Sequence, residues 1–168
     1  FLVFGYNIST IYYMIFSSIL IVITFIDIDH LIIPDRIVIF GILCSFIFSL
    51  CGVGIDLTEW FFGLSILFFA MLSFVYFIEI IIKKEFMGGG DIKFFAMVGS
   101  FLGVRIGILT IIISMYIGAF YGIIIITKSK LVKKDYESMI PYGPFISIAS
   151  FICMIFGNDI LNWYMNLF

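Results

Sequence analysis

Apolar residues fill this chain in long runs that polar residues interrupt at only a few places. After a polar break at Asn7-Ile8-Ser9-Thr10, almost every residue from Ile11 to Ile26 is apolar, close to the ~20 residues needed to cross a bilayer. Further runs cover about Arg36 to Leu50, Trp60 to Ile82, Asp91 to Leu102, Ile106 to Ile126 and Phe145 to Phe156. The pattern predicts an all-α integral membrane protein of about six transmembrane helices. The interruptions have their own logic. Pro34 favours an extended Ile33 and a fresh helix start at Asp35. Cys51 to Glu59 reads as a turn, Lys83 to Gly90 as a loop, and Thr127 to Glu137 as the most polar stretch, while Pro141-Tyr142-Gly143-Pro144 introduces the last run. Ala96, Gly99, Ser100 and Gly103 are small enough for close helix packing.

Composition sharpens this picture. Of 168 residues, 64% are hydrophobic, 22 are Phe, and the mean hydropathy is +1.28, far outside the soluble range. The length suits a single membrane-embedded domain over residues 1–168, with residues 1–6 read as the end of a truncated preceding helix. A net charge of −2 offers no basic surface for nucleic acid. Cys44, Cys51 and Cys153 are isolated within apolar sequence and His30 is alone. Neither a disulfide framework nor a metal site is expected, and no cofactor is implied.

Orientation follows from the basic residues. Arg36, Lys83, Lys84, Lys93, Lys128, Lys130, Lys133 and Lys134 fall in or beside the loops after the first, third and fifth runs, and Arg105 falls on the other side. Lys and Arg concentrate in cytoplasmic loops. The Asp27–Asp35 segment and the glycine loop are therefore expected to share the cytoplasmic face.

Ionisable residues at membrane depth are expensive and mark function. Asp27 and Asp91 each lie at the edge of an apolar run. Asp29 is two residues from Asp27, about 200° around a helix, so the two cannot face one site if the helix continues. Asp35 can open the second helix, where an acid complements the dipole. Glu79 and Lys83 have the spacing of a supporting helical pair, and Lys93 follows Asp91 by two. The three glycines Gly88, Gly89 and Gly90 forfeit about 1 kcal/mol each of helix propensity; either they clear a path for a ligand beside Asp91 or they let the loop turn into the next helix. Two aspartates from different helices that meet can share a proton, one activating water while the other protonates the reacting group. The same acids could serve a proton-coupled transporter or channel, and a third reading is a non-enzymatic assembly scaffold.

Phe25-Ile26-Asp27-Ile28-Asp29-His30-Leu31-Ile32-Ile33-Pro34-Asp35 resembles the first signature of the bacterial type IV prepilin peptidases, and Glu85-Phe86-Met87-Gly88-Gly89-Gly90-Asp91-Ile92-Lys93 resembles the second, their GxGD motif. Pro141-Tyr142-Gly143-Pro144-Phe145 is similar to a third family segment. GxGD alone is weak; the three in order are specific. The resemblance implies a GxGD aspartic endopeptidase of the bacterial cytoplasmic membrane, related to archaeal preflagellin peptidases. Its substrates would be type IV prepilins or pseudopilins, cut at the cytoplasmic face. It carries the catalytic role onto Asp27 and Asp91, with Asp29, Pro34, Asp35, Glu85, Gly88, Gly89, Gly90, Lys93, Pro141, Gly143 and Pro144 as motif and substrate-supporting positions. Many members also N-methylate the new amino terminus and carry paired CxxC motifs; this sequence has no such pair, and methyltransferase activity stays open.

Overall fold

The computed structural model describes residues 8–84, 86–132 and 141–166. Five helices account for nearly all of them: α1 (Ile8–His30), α2 (Asp35–Leu50), α3 (Leu57–Ile82), α4 (Gly89–Val132) and α5 (Gly143–Met165). Four are long and apolar enough to cross a membrane: Ile8–His30, Leu57–Ile82, Gly89–Ile125 within α4, and Gly143–Met165. With 16 residues, α2 is about 24 Å long at 1.5 Å per residue, short of a ~30 Å hydrocarbon layer.

The fourth and fifth apolar runs, read as Asp91–Leu102 and Ile106–Ile126, are the two limbs of α4, separated at Gly103, whose φ of 76° and ψ of 179° suit glycine alone. The chain folds back there. In the first limb, Asp91 starts at the end of the bundle where α1 finishes, and Phe101 reaches Tyr12 at the beginning of α1. In the second limb, Ile106 packs against Gly157 far along α5, and Ser114 returns to Tyr142 just before α5. Such a break strips the last carbonyls of the first limb of their helical partners. Tyr12 supplies one replacement, its buried hydroxyl donating to the Phe101 carbonyl at 2.9 Å.

The first limb is the centre of the molecule. Ile92, Phe94 to Val98, Phe101 and Leu102 are all buried, and Phe16 of α1 stacks on Phe101 with centroids 4.5 Å apart. Helix association in lipid gains little from the hydrophobic effect and depends on close contact, which glycine provides here. A methyl on Gly99 or Gly63 would strike the other's carbonyl, and one on Gly107 would enter Leu67. So α3 sits backbone to backbone on α4. Polar ties join the layers: Trp60 Nε1 donates to Ser45 Oγ, which donates to Ser100 Oγ, both at 2.9 Å, and Ser147 Oγ donates to the Leu20 carbonyl at 3.2 Å. Outside, Phe61, Phe62, Phe69, Tyr76 and Phe77 of α3 project away from the core. An apolar perimeter of that extent suits lipid rather than water.

One helix end differs from the sequence expectation and one agrees with it. Leu31 stops α1 with a φ of 55°, its N–H bonding the Asp27 carbonyl at 2.9 Å, so α1 carries Asp27 and Asp29 within one continuous helix. Lys83 ends α3 in the same left-handed conformation. Glu79 and Lys83 form no side-chain ion pair; Glu79 Oε1 instead accepts the Phe86 N–H at 3.2 Å. The readings of residues 1–6 and Glu85 lie outside the described residues.

Candidate active site

Three helix ends and two connections converge at one end of the bundle around a cavity of about 570 Å³. Asp27 and Leu31 to Ile33 come from the end of α1 and the chain after it, Pro34 to Arg36 from the start of α2, and Gly88, Gly90 and Asp91 from the start of α4. The two signature segments, whose acids Asp27 and Asp91 lie 64 residues apart in the chain, thus wall a single space.

Asp27 is 5% exposed on the last turn of α1. Burial of a carboxylate demands a partner, and Gly143 supplies one: its backbone N–H donates to Asp27 Oδ2 at 2.8 Å. Gly143 is the first residue of α5, with Pro144 next to it where a missing N–H costs nothing. The first amide and the positive dipole end of α5 therefore meet the Asp27 carboxyl, while the Phe145 and Ile146 N–H groups bond the Tyr142 carbonyl. Glycine is required at that spot by space, because a Cβ on Gly143 would lie 2.7 Å from Oδ2.

Asp91 sits in the first turn of its own helix, where an acid is favoured by the dipole. It leans back on Gly88, three residues earlier, in the geometry of a capping residue; a Cβ on Gly88 would be 3.4 Å from Asp91 Oδ2. The two acids are close enough for their charges to interact.

Tyr142 braces the arrangement. Its hydroxyl is 3.3 Å from Ser114 Oγ in the second limb of α4, its ring packs near Phe95 and Phe145, and Gly118 leaves the room it occupies. Burial raises its phenol above the ordinary tyrosine range, the Ser114 hydrogen bond opposes this, and the negative charge of Asp91 adds to it. The hydroxyl stays neutral.

The other expected positions divide. Pro34 and Asp35 line the cavity. Lys93 turns to Asp35 rather than Asp91, meeting both carboxylate oxygens at 2.8 Å. Asp29 is exposed and off the cavity wall. Gly89 faces open space, whereas Gly90 makes room for Ile33, whose Cβ would be 3.1 Å from a side chain there. Sequence reasoning named Gly143 without its link to Asp27, and missed Leu31, Arg36 and Ser114. Arg36 adjoins a quoted motif, but nothing local marks Ser114.

The fold and site define a polytopic helical protein with an acid-walled cavity at one end of the bundle. Residues 14–123 match the type IV leader peptidase family, and the chain belongs to it. Three curated relatives are each a prepilin leader peptidase/N-methyltransferase. That of Aeromonas hydrophila is 29% identical over 161 residues, 95% of this chain and 54% of the relative. That of Legionella pneumophila is 31% identical over 162 residues, 96% and 55% of the two chains. That of Bacillus subtilis (strain 168) is 30% identical over 169 residues, 98% and 63%. The chain spans about half the length of the first two. No solved structure matches.

Proposed function

We propose that this chain is the peptidase core of a membrane aspartic endopeptidase that removes the leader from type IV prepilins or related pseudopilins, with Asp27 and Asp91 as the catalytic pair. One observation carries the reading: two acids from separate helices, one almost fully buried, line the same cavity at the same end of an apolar bundle. Neighbouring carboxylates share a proton, which gives one cavity both a base for water and an acid for the leaving amine. Family membership supplies the substrate class. Six membrane-crossing segments follow if α2 and the two limbs of α4 each cross, and the lysine and arginine distribution supports a cytoplasmic position for the cavity in a bacterial inner membrane.

The chemistry is tested with the purified protein and a synthetic prepilin. Asp27→Asn and Asp91→Asn should each abolish cleavage while leaving thermal unfolding in detergent intact; Asp29→Asn should be mild, since Asp29 is off the cavity. Full activity in either of the first two would remove the aspartic mechanism. For orientation, single cysteines at Ser129 and Asn158 in a cysteine-free background are treated with an impermeant thiol reagent outside intact cells. Labelling of the second and protection of the first is expected, and the reverse would move the cavity to the outer face.

A further inference from the structure

The segment before α5 carries a device that the pairing of two acids does not explain. A carboxylate at the end of a helix has free side-chain torsions, and a misplacement of about 1 Å can cost on the order of 100-fold in rate. Among the described residues, the Asp27 carboxyl is held by one hydrogen bond, from the Gly143 N–H at 2.8 Å, reached across 116 residues of chain. That contact is clamped from behind. Tyr142, the residue preceding Gly143, is fixed by Ser114 and fitted over Gly118, both on the second limb of α4. Asp27, on α1, is thereby referenced to the same helix hairpin whose first limb carries Asp91.

We infer that the Gly143 backbone N–H is a positioning donor for the reaction, setting the Asp27 carboxyl against Asp91, and that Tyr142, Ser114 and Gly118 act through it. The inference rests on the aspartic reading above. Gly143 touches the acid, not the substrate. Its loss should therefore lower kcat and leave KM nearly unchanged, because the substrate-binding walls from Leu31 to Arg36 belong to other elements.

Two changes test this. Gly143→Ala inserts a methyl 2.7 Å from Oδ2 and should lower kcat by about 100-fold. Because that methyl can also disturb the fold, the second change removes the donor without adding bulk: Gly143→glycolic acid, introduced by nonsense suppression, converts the 142–143 amide to an ester of nearly the same shape. Expected is a loss of kcat of about tenfold or more, an unchanged KM for the synthetic prepilin, and thermal unfolding within a few degrees of the parent. Gly122→Ala is the control, since nothing lies within 4 Å of a Cβ there, and it should behave as the parent. Tyr142→Phe should lower kcat less than the ester does.

An ester variant with parental kcat would overturn the inference, and so would one whose loss lies in KM. If Asp27→Asn is inactive while the ester variant is fully active, the positioning role fails and the aspartic reading stands. If Asp27→Asn is itself active, the aspartic reading has failed first.

Discussion

The two acids that share the cavity are held in opposite ways. Asp91 is supported from its own neighbourhood: it lies in the first turn of α4 and leans on Gly88 three residues back. Asp27 is at the finish of α1 and depends on the start of a different helix, through an N–H 116 residues away. Both end up beside a helix N-terminus, where a carboxylate is stabilised. The local arrangement survives rearrangement of the bundle, and the remote one fails as soon as α5 shifts against α1. Damage to helix packing should thus be felt at Asp27 before Asp91.

The largest effect should come from removing either acid, and it should not distinguish them. General acid and base assistance is worth about 10²–10⁴-fold, and groups acting as one unit are strongly non-additive. Asp27→Asn with Asp91→Asn should be no slower than either single variant. A double variant whose loss equals the product of the two single losses would mean that the acids act independently rather than as one unit.

That contrast also explains what could be read from the sequence. Asp91 is legible because its whole setting, Met87-Gly88-Gly89-Gly90-Asp91, is contiguous, and the apolar runs on each side reveal the helices. Asp27 is legible as an acid at the edge of an apolar run, but its partner is a backbone amide, and no residue type advertises one. The break between the runs ending at Leu102 and starting at Ile106 was legible, but which glycine makes the fold-back was not. Gly99 and Gly103 both look like packing residues, yet Gly99 abuts Gly63 while Gly103 carries a φ of 76°, and only the three-dimensional path separates the roles. The Glu79 and Lys83 pair misled because correct helical spacing says nothing of where the helix stops; Lys83 is already in the left-handed cap.

A smaller effect should divide the glycines beside Asp91. A side chain at Gly89 meets nothing within 4 Å, whereas one at Gly90 meets Ile33 at 3.1 Å. Gly89→Val should stay within about threefold of parental cleavage, while Gly90→Val should lose tenfold or more by displacing Ile33 and the wall it belongs to. Adding Ile33→Ala to Gly90→Val should recover part of the rate if the damage is to this packing. No recovery, with normal thermal unfolding, would mean that Gly90 instead keeps a path open for the substrate.

The smallest effect should come from the Lys93 and Asp35 pair, which is short but open to solvent, the side chains being 48% and 57% exposed. Exposed ion pairs contribute roughly 0–1 kcal/mol, since water screens the charges and two long side chains lose freedom. The contrast with Asp27 is one of setting rather than distance: both contacts measure 2.8 Å, but the Gly143 amide and Asp27 are buried together, where an unmade hydrogen bond costs about 1–3 kcal/mol. In a double-mutant cycle, Lys93→Met and Asp35→Asn should therefore couple by less than about 1 kcal/mol in thermal unfolding, and less still as salt is raised. Asp35 is also part of the cavity wall, so the Asp35 variant should raise KM a few-fold and leave kcat alone. A coupling above about 2 kcal/mol, or a kcat loss matching that of the Gly143 ester, would make this pair a second clamp on the two cavity acids and erase the distinction between a buried hold and an exposed one.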